Sequence, residues 1–305
     1  MPRVDDRRPG LAFGLGAYAL WGLFPLYFPL LEPASATEIL AHRIFWSLIT
    51  MLVLVVAVRR WTQLRQLLAD RRRVAILTLA AVLIAANWGT YIWGVNNGHV
   101  IETSLGYFIN PLVTVLMGVV ILGERLRPVQ WAALGIAGLA VVGLTVEYGR
   151  PPWVALVLAF SFGSYGLAKK KAHSGAVESL TFETLVIAPV ALGYIVLLTL
   201  TGASTFTGEG ALHVALLLGL GILTAVPLLC FGGAATRVSM TTLGLLQYVT
   251  PSMQFALGVL VFREPMPTMR WVGFGLVWLA LVIFTVESLN HRRRTLRVAA
   301  EVGVV

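Results

Sequence analysis

Charge is what this sequence has least of. Only 12% of its 305 residues are charged, against a hydrophobic share of 58% and a mean hydropathy of +0.83. Soluble domains hold roughly a quarter charged residues, so a soluble fold is excluded. Aspartate is nearly absent: Asp5, Asp6 and Asp70 all fall outside the apolar runs. The histidines are scattered and no Ser/His/Asp spacing emerges, so neither the clustered acids nor the nucleophile beside a base that an enzyme needs is present. No glycine-rich loop leads into a lysine, which removes ATP-driven transport by this chain alone. The single cysteine, Cys230, cannot form an internal disulfide and reads as a small buried hydrophobe. His99 and Glu102 stand three apart without a third ligand nearby, a polar loop contact rather than a metal pair. No cofactor or metal is expected.

What the chain has is apolar length. Continuous runs of about 20 residues suit helices crossing a hydrocarbon core ~30 Å thick, and they lack the period-two alternation of a barrel. Ten spans are predicted, at about Leu11–Leu31, Thr37–Val58, Val74–Val95, Thr103–Leu122, Pro128–Val146, Pro152–Ala168, Ser179–Leu200, Ala211–Ala234, Thr241–Phe262 and Met269–Ser288. The first resembles a signal peptide, with arginines before it and Ala34-Ser35-Ala36 after it, but is too long for that and is kept as a span. Arg59 to Arg73 reads as a basic loop, and Lys169 to Lys171 as another.

The net charge of +9 and pI near 10.2 do not point to nucleic acid, because the basic residues sit in short loops. With the N-terminus inside, the outer loops hold only Arg150, Arg263 and Arg270, and Arg43 lies within the second span. Every other lysine or arginine is cytoplasmic, where it meets anionic lipid. This predicts a multi-pass protein of the cytoplasmic membrane with both termini inside.

The chain also repeats itself. Pro111, Gly118, Glu124, Trp131 and Gly135 recur as Pro251, Gly258, Glu264, Trp271 and Gly275, all at one offset, about half the chain later. Upstream, Trp93-Gly94 answers Phe231-Gly232, and Ser104-Leu105-Gly106 answers Thr242-Leu243-Gly244. An odd number of spans per half inverts the second half, residues 150–305, relative to the first, residues 1–149. Inverted repeats place a midplane site on a pseudo-two-fold axis, often at broken helices. Pro111 and Pro251 mark equivalent positions for such breaks or for gating, although membrane helices also tolerate proline.

The stretch Ala86 to Leu112 closely resembles the RarD branch of the EamA-like permeases, in the drug/metabolite transporter superfamily. So do Trp21 to Phe28, Ala41-His42-Arg43, Ser161 to Leu167, Leu245 to Tyr248 and Arg263-Glu264-Pro265. The resemblance spans nearly the whole chain. It implies an all-α integral membrane fold of ten helices, two inverted five-helix repeats around a central cavity, and transport of small organic metabolites.

Helical spacing nominates the lining. Tyr18, Trp21 and Pro25 share a face of the first span, and Asn87 with Tyr91 a face of the third. Ser161 pairs with Tyr165 on the sixth, and Gln247, Pro251 and Gln254 align on the ninth; Asn110 precedes the repeat proline. Aromatics and amides suit a small aromatic or zwitterionic solute, whereas the plainer reading makes them helix glue and interfacial belts. Two in-span charges, Arg43 and Glu183, are expected to snorkel to their own interfaces. The alternative makes Glu183 a proton-coupling carboxylate. Glu124 and Glu264 read as loop caps beside Arg125 and Arg263. Glycines within Gly135 to Gly143 suit close helix contact, inside one chain or between two copies. The function expected is therefore a secondary permease, an exporter by family analogy, working by alternating access. A membrane-embedded enzyme and a channel are the alternatives.

Overall fold

The computed structural model describes residues 4–123, 125–235, 237–238 and 240–301, and all regular structure among them is helical. In chain order the helices are α1 (Val4–Gly22), α2 (Phe24–Tyr27), a 3-10 turn (Phe28–Leu31), α3 (Ala36–Ala57), α4 (Trp61–Ala69), α5 (Arg71–Asn96) and α6 (Val100–Leu122). Then follow α7 (Pro128–Tyr148), α8 (Trp153–Ala172), α9 (Ala176–Leu200), α10 (Gly210–Ala235), α11 (Met240–Leu246), α12 (Val249–Leu260) and α13 (Thr268–Glu301). Eight segments among the described residues are long and apolar enough to cross a membrane; one of them, Thr242–Leu260, joins α11 to α12. The bent pair α1 and α2 makes a ninth, and α8 supplies a shorter apolar helix.

Local chemistry sets the ends. Ser35 Oγ accepts the Glu38 amide 3.2 Å away at the start of α3, and Asp70 accepts the Arg72 and Arg73 amides at 3.0 and 3.1 Å at the start of α5. Gly123 and Gly149 end α6 and α7 in the left-handed region at φ 67°, where a Cβ would be strained.

Packing runs chiefly between the two halves of the chain. α7 lies on α13, α3 on α9 and α6 on α12. The other principal contacts come in matched sets: α5 on α8 with α1 on α10, α6 on α8 with α1 on α12, and α3 on α10 with α5 on α9. Exchanging equivalent helices of the two halves maps each set onto itself. The largest apolar cluster, which includes Phe108, Leu144 and Phe274, joins α6, α7, α8 and α13, with Phe255 and Val259 of α12 packed against it.

The structure departs from the sequence expectations in five places. The first span breaks at Leu23 with a 43° bend. Pro25 has no amide to donate, and its ring crowds the carbonyl four residues back, that of Trp21, which weakens the helix at this point. The ninth span breaks at Gln247 and Tyr248 between α11 and α12, not at Pro251, because the crowded carbonyl is again the one four residues earlier. The equivalent Pro111 leaves α6 continuous. The basic stretch after the second span holds a helix, α4, with Leu64 and Leu67 buried against the bundle. Lys169 lies on α8 rather than in a loop.

Candidate functional site

A polar chain crosses the middle of the bundle. Asn87 on α5 donates to Ser161 Oγ at 3.0 Å and to the Leu158 carbonyl at 3.1 Å, both on α8. Its carbonyl oxygen accepts the Tyr107 hydroxyl of α6 at 3.1 Å. Tyr107 meets Tyr91 edge-on, ring centres 5.7 Å apart. The Tyr91 hydroxyl accepts the Gln254 amide of α12 at 2.8 Å, and the same amide reaches the Trp21 carbonyl of α1 at 3.2 Å. Five helices, drawn from both halves, converge through these side chains. A polar network of this kind in a low-dielectric interior fixes one arrangement, since an unpaired member is costly; Gln254 Oε1 is buried without a hydrogen-bond partner.

Arg43 stands beside this chain, 4% exposed. Its guanidinium lies 4.2 Å from the Trp88 ring centre, 5.4 Å from Phe24 and 5.9 Å from Phe28. Its Nε donates to Thr224 Oγ1 at 3.3 Å, while Nη1 is buried without a hydrogen-bond partner. Glu183, 1% exposed, accepts Lys169 Nζ at 2.8 Å and the Tyr165 hydroxyl at 3.0 Å, and Lys169 also donates to Ser179. Snorkelling, expected for both charges, is therefore corrected. Arg43 is enclosed by aromatic rings, and Glu183 is held by a lysine that α8 carries inward.

The remaining expected lining residues are less uniform. Tyr18 and Trp21 meet edge-on at 5.5 Å and both contact Phe231 of α10, at 6.2 and 6.0 Å. Asn110 donates to the Ala159 carbonyl at 3.1 Å, a helix-to-helix tie. Gln254 is buried, but Gln247 sits in the turn between α11 and α12, so the break divides a face that the sequence aligned. Pro251 is buried in the first turn of α12. A cleft of about 590 Å³ opens elsewhere, between α6, α11–α12 and α13, with Phe108, Tyr248, Ser252, Phe255, Trp278 and Thr285 on its walls. None of the nominated lining residues borders it.

Sequence reasoning missed several members of the central cluster. Tyr107 precedes Asn110 by three residues, and Lys169 extends the Ser161–Tyr165 spacing by another four; both signals were readable. Trp88 and Thr224 gave no such signal, because their value comes from tertiary approach to Arg43.

One end of the bundle is tied by carboxylates. Glu264, expected to cap its own loop, instead accepts the Val100 and Ile101 amides at the first turn of α6, the latter at 2.9 Å. Burial nevertheless raises its pKa, and those amides offset the rise only in part. Glu102 is 1% exposed; it accepts Arg150 Nη2 at 2.8 Å and the Val154 amide at 3.1 Å. His99, stacked on Trp93 at 5.3 Å, lies 3.7 Å from Glu102. Glu147 accepts Arg270 Nε at 2.8 Å. Glu124, the counterpart of Glu264, lies outside the described residues. Among the described residues no group of three or more histidine, cysteine, aspartate or glutamate side chains gathers as metal ligands would.

Comparison with known proteins places this architecture. The profile of the EamA-like transporter family matches residues 8–146 and again residues 151–286. "Protein RarD" of Streptomyces exfoliatus is 54% identical over 295 residues, covering 97% of this chain and 94% of that one. "Protein RarD" of Escherichia coli (strain K12) is 41% identical, covering 96% and 99%. "Chloramphenicol-sensitive protein RarD" of Pseudomonas aeruginosa is 32% identical, covering 94% and 97%. A solved crystal structure shares the fold at a TM-score of 0.59 and 17% identity, over 93% of this chain and 99% of that one. A multi-pass helical bundle, two successive family matches and near full-length relatives lead to one statement: the chain belongs to the EamA-like transporter family, in its RarD branch, and is a membrane transporter.

Proposed function

We propose that this transporter is a secondary permease that moves a small organic solute by alternating access, outward from the cytoplasm. The observation that carries the reading is the polar chain through Asn87, Tyr107, Tyr91 and Gln254, with Arg43 beside it, built where the two halves of the chain meet. Such a site faces either side when one half rocks against the other. Tyr91, Tyr107, Trp21 and Trp88 offer stacking surfaces, and Gln254, whose Oε1 has no hydrogen-bond partner, offers an acceptor.

In this reading α8 is the sixth span and brings the count to ten, and residues 1–149 and 150–305 form two inverted five-helix halves. Support comes from the two successive family matches and from the matched helix contacts. The lysine and arginine distribution supports an inner-membrane orientation with both termini cytoplasmic. Glu183, held by Lys169 and Tyr165, is the candidate for proton coupling. The family relation carries the small-solute class, and analogy alone carries the direction. Gly135, Gly138 and Gly143 meet nothing within 4 Å of an added Cβ, so they do not serve helix contact within the chain. That open glycine face is where a second copy of the chain would pack.

The test is retention of a mixed pool in proteoliposomes, read by mass spectrometry against protein-free vesicles, with and without a proton gradient. The pool holds amino acids, aromatic acids, amines and chloramphenicol. Selective loss of one chemical class is expected; indiscriminate loss of every member would replace the permease with a channel.

A further inference from the structure

Arg43 is a cation without an anion. Its guanidinium is enclosed by Phe24, Phe28 and Trp88, yet no carboxylate pairs with it among the described residues, and Nη1 has no hydrogen-bond partner. The ionisable groups within its electrostatic reach are the phenols of Tyr91 and Tyr107. Other buried charges are engaged: Glu183 has Lys169, Glu102 has Arg150, and Glu38 accepts the Thr205 amide at 2.7 Å. A buried guanidinium cannot shed its proton as a lysine does, and cation–π contacts leave its planar donor edge unused. Buried charges are retained where something neutralises them.

The rings over Arg43 stand next to a break in the first span. Two of the three rings over Arg43, Phe24 and Phe28, belong to the segment beyond the 43° bend at Leu23. That segment is seated in the core against α5 and α10, with Phe24 and Phe28 4% and 0% exposed. Displacing it uncovers the guanidinium without breaking the α3 helix that carries it.

We infer that Arg43 is the anion-binding residue of the transport site, and that the solute carries a carboxylate which pairs with its free donor edge beneath the rings of Phe24 and Phe28. The inference rests on the permease reading above and narrows it to carboxylate-bearing solutes, among them amino acids and aromatic acids. A carboxylate matches one guanidinium edge to edge in charge and geometry. A phosphate, with a second negative charge, calls for more cations than this pocket offers. The Tyr91 and Tyr107 hydroxyls supply the additional polar contacts that a single carboxylate can take.

The experiment uses the full chain, purified in detergent and in proteoliposomes. The probes are matched carboxylates and primary amides: L-phenylalanine and L-phenylalaninamide, benzoate and benzamide, L-leucine and L-leucinamide. Thermal stability is measured with each in chloride and in sulfate buffers, and retention of the same compounds is measured in vesicles. At least one carboxylate is expected to stabilise and cross, while its amide does neither. Arg43→Gln is expected to weaken that response about 10- to 100-fold, the loss of one charge-assisted bond pair. Arg43→Lys, which keeps the charge but not the fork, is expected to fall between, and covers the case in which the glutamine variant does not fold. Four results overturn the assignment: stabilisation by no carboxylate, equal stabilisation by chloride alone, equal response to acid and amide, or an unchanged response in both variants. Selective transport of amines or chloramphenicol alone would sink the carboxylate while sparing the permease, whereas indiscriminate leakage would remove both.

Discussion

At the scale of single residues, the buried polar groups divide into those that hold the fold and those free to act. Asn87 is fully engaged, donating twice and accepting once. Asn87→Leu leaves Ser161 and Tyr107 short of partners in an apolar setting. It is expected to lower stability by roughly 1–3 kcal/mol, read as an earlier melting transition in detergent. Glu102→Gln frees Arg150 and weakens the acceptor for Val154; because Arg150 is 35% exposed, about 1–2 kcal/mol is expected.

His99 gives a pH signature at the same end. Burial lowers its pKa; Glu102 opposes this, and Arg150 and Arg270 reinforce it. An imidazole with a depressed folded pKa binds fewer protons folded than unfolded. The stability it contributes is complete above its unfolded pKa and is lost as pH falls toward the folded value. His99→Gln is therefore expected to flatten the fall in melting temperature between about pH 7 and pH 5. An equally steep fall in the variant would assign the acid sensitivity elsewhere. Glu183→Gln tests coupling: transport driven by a proton gradient is expected to become insensitive to that gradient, with the solute still bound.

At the scale of elements, close approaches and breaks decide what moves. A Cβ on Gly221 of α10 would stand 2.4 Å from the Trp46 carbonyl oxygen of α3, and one on Gly106 of α6 would stand 2.8 Å from that of Ala155 on α8. Backbone cannot yield as a side-chain tip can. Gly221→Ala and Gly106→Ala are each expected to cost about 1–3 kcal/mol and to part the helices, checked by melting temperature. The spans themselves were legible because continuous apolar length is a local property. The break at Leu23 was not read, although Pro25 stands in the sequence, because the helix was extended through its proline on length alone. In the sequence α4 reads as loop because Arg65 and the arginines on either side of the helix outweigh the Leu64 and Leu67 spacing.

At the scale of the whole molecule, the halves are folded into one another rather than set side by side. The repeat proline, glycine and glutamate were visible as sequence, and so was the family. The buried partners of Arg43 and Glu183 were not, because they come from distant parts of the chain: Thr224 lies 181 positions from Arg43. Even where the chain distance is short, as for Lys169 and Glu183, the pairing depended on α8 continuing one turn past its apolar run.

Glu264 carries this entanglement into biogenesis. The Ile101 amide waits for a carboxylate 163 positions further along the chain. During synthesis, then, the leading turn of α6 is made long before the group that completes it. Until the ninth span is in place, that turn has to borrow water or lipid headgroups for its donors. A chain cut between the halves leaves this debt unsettled, so the first half alone should be a target for membrane quality control rather than a smaller transporter.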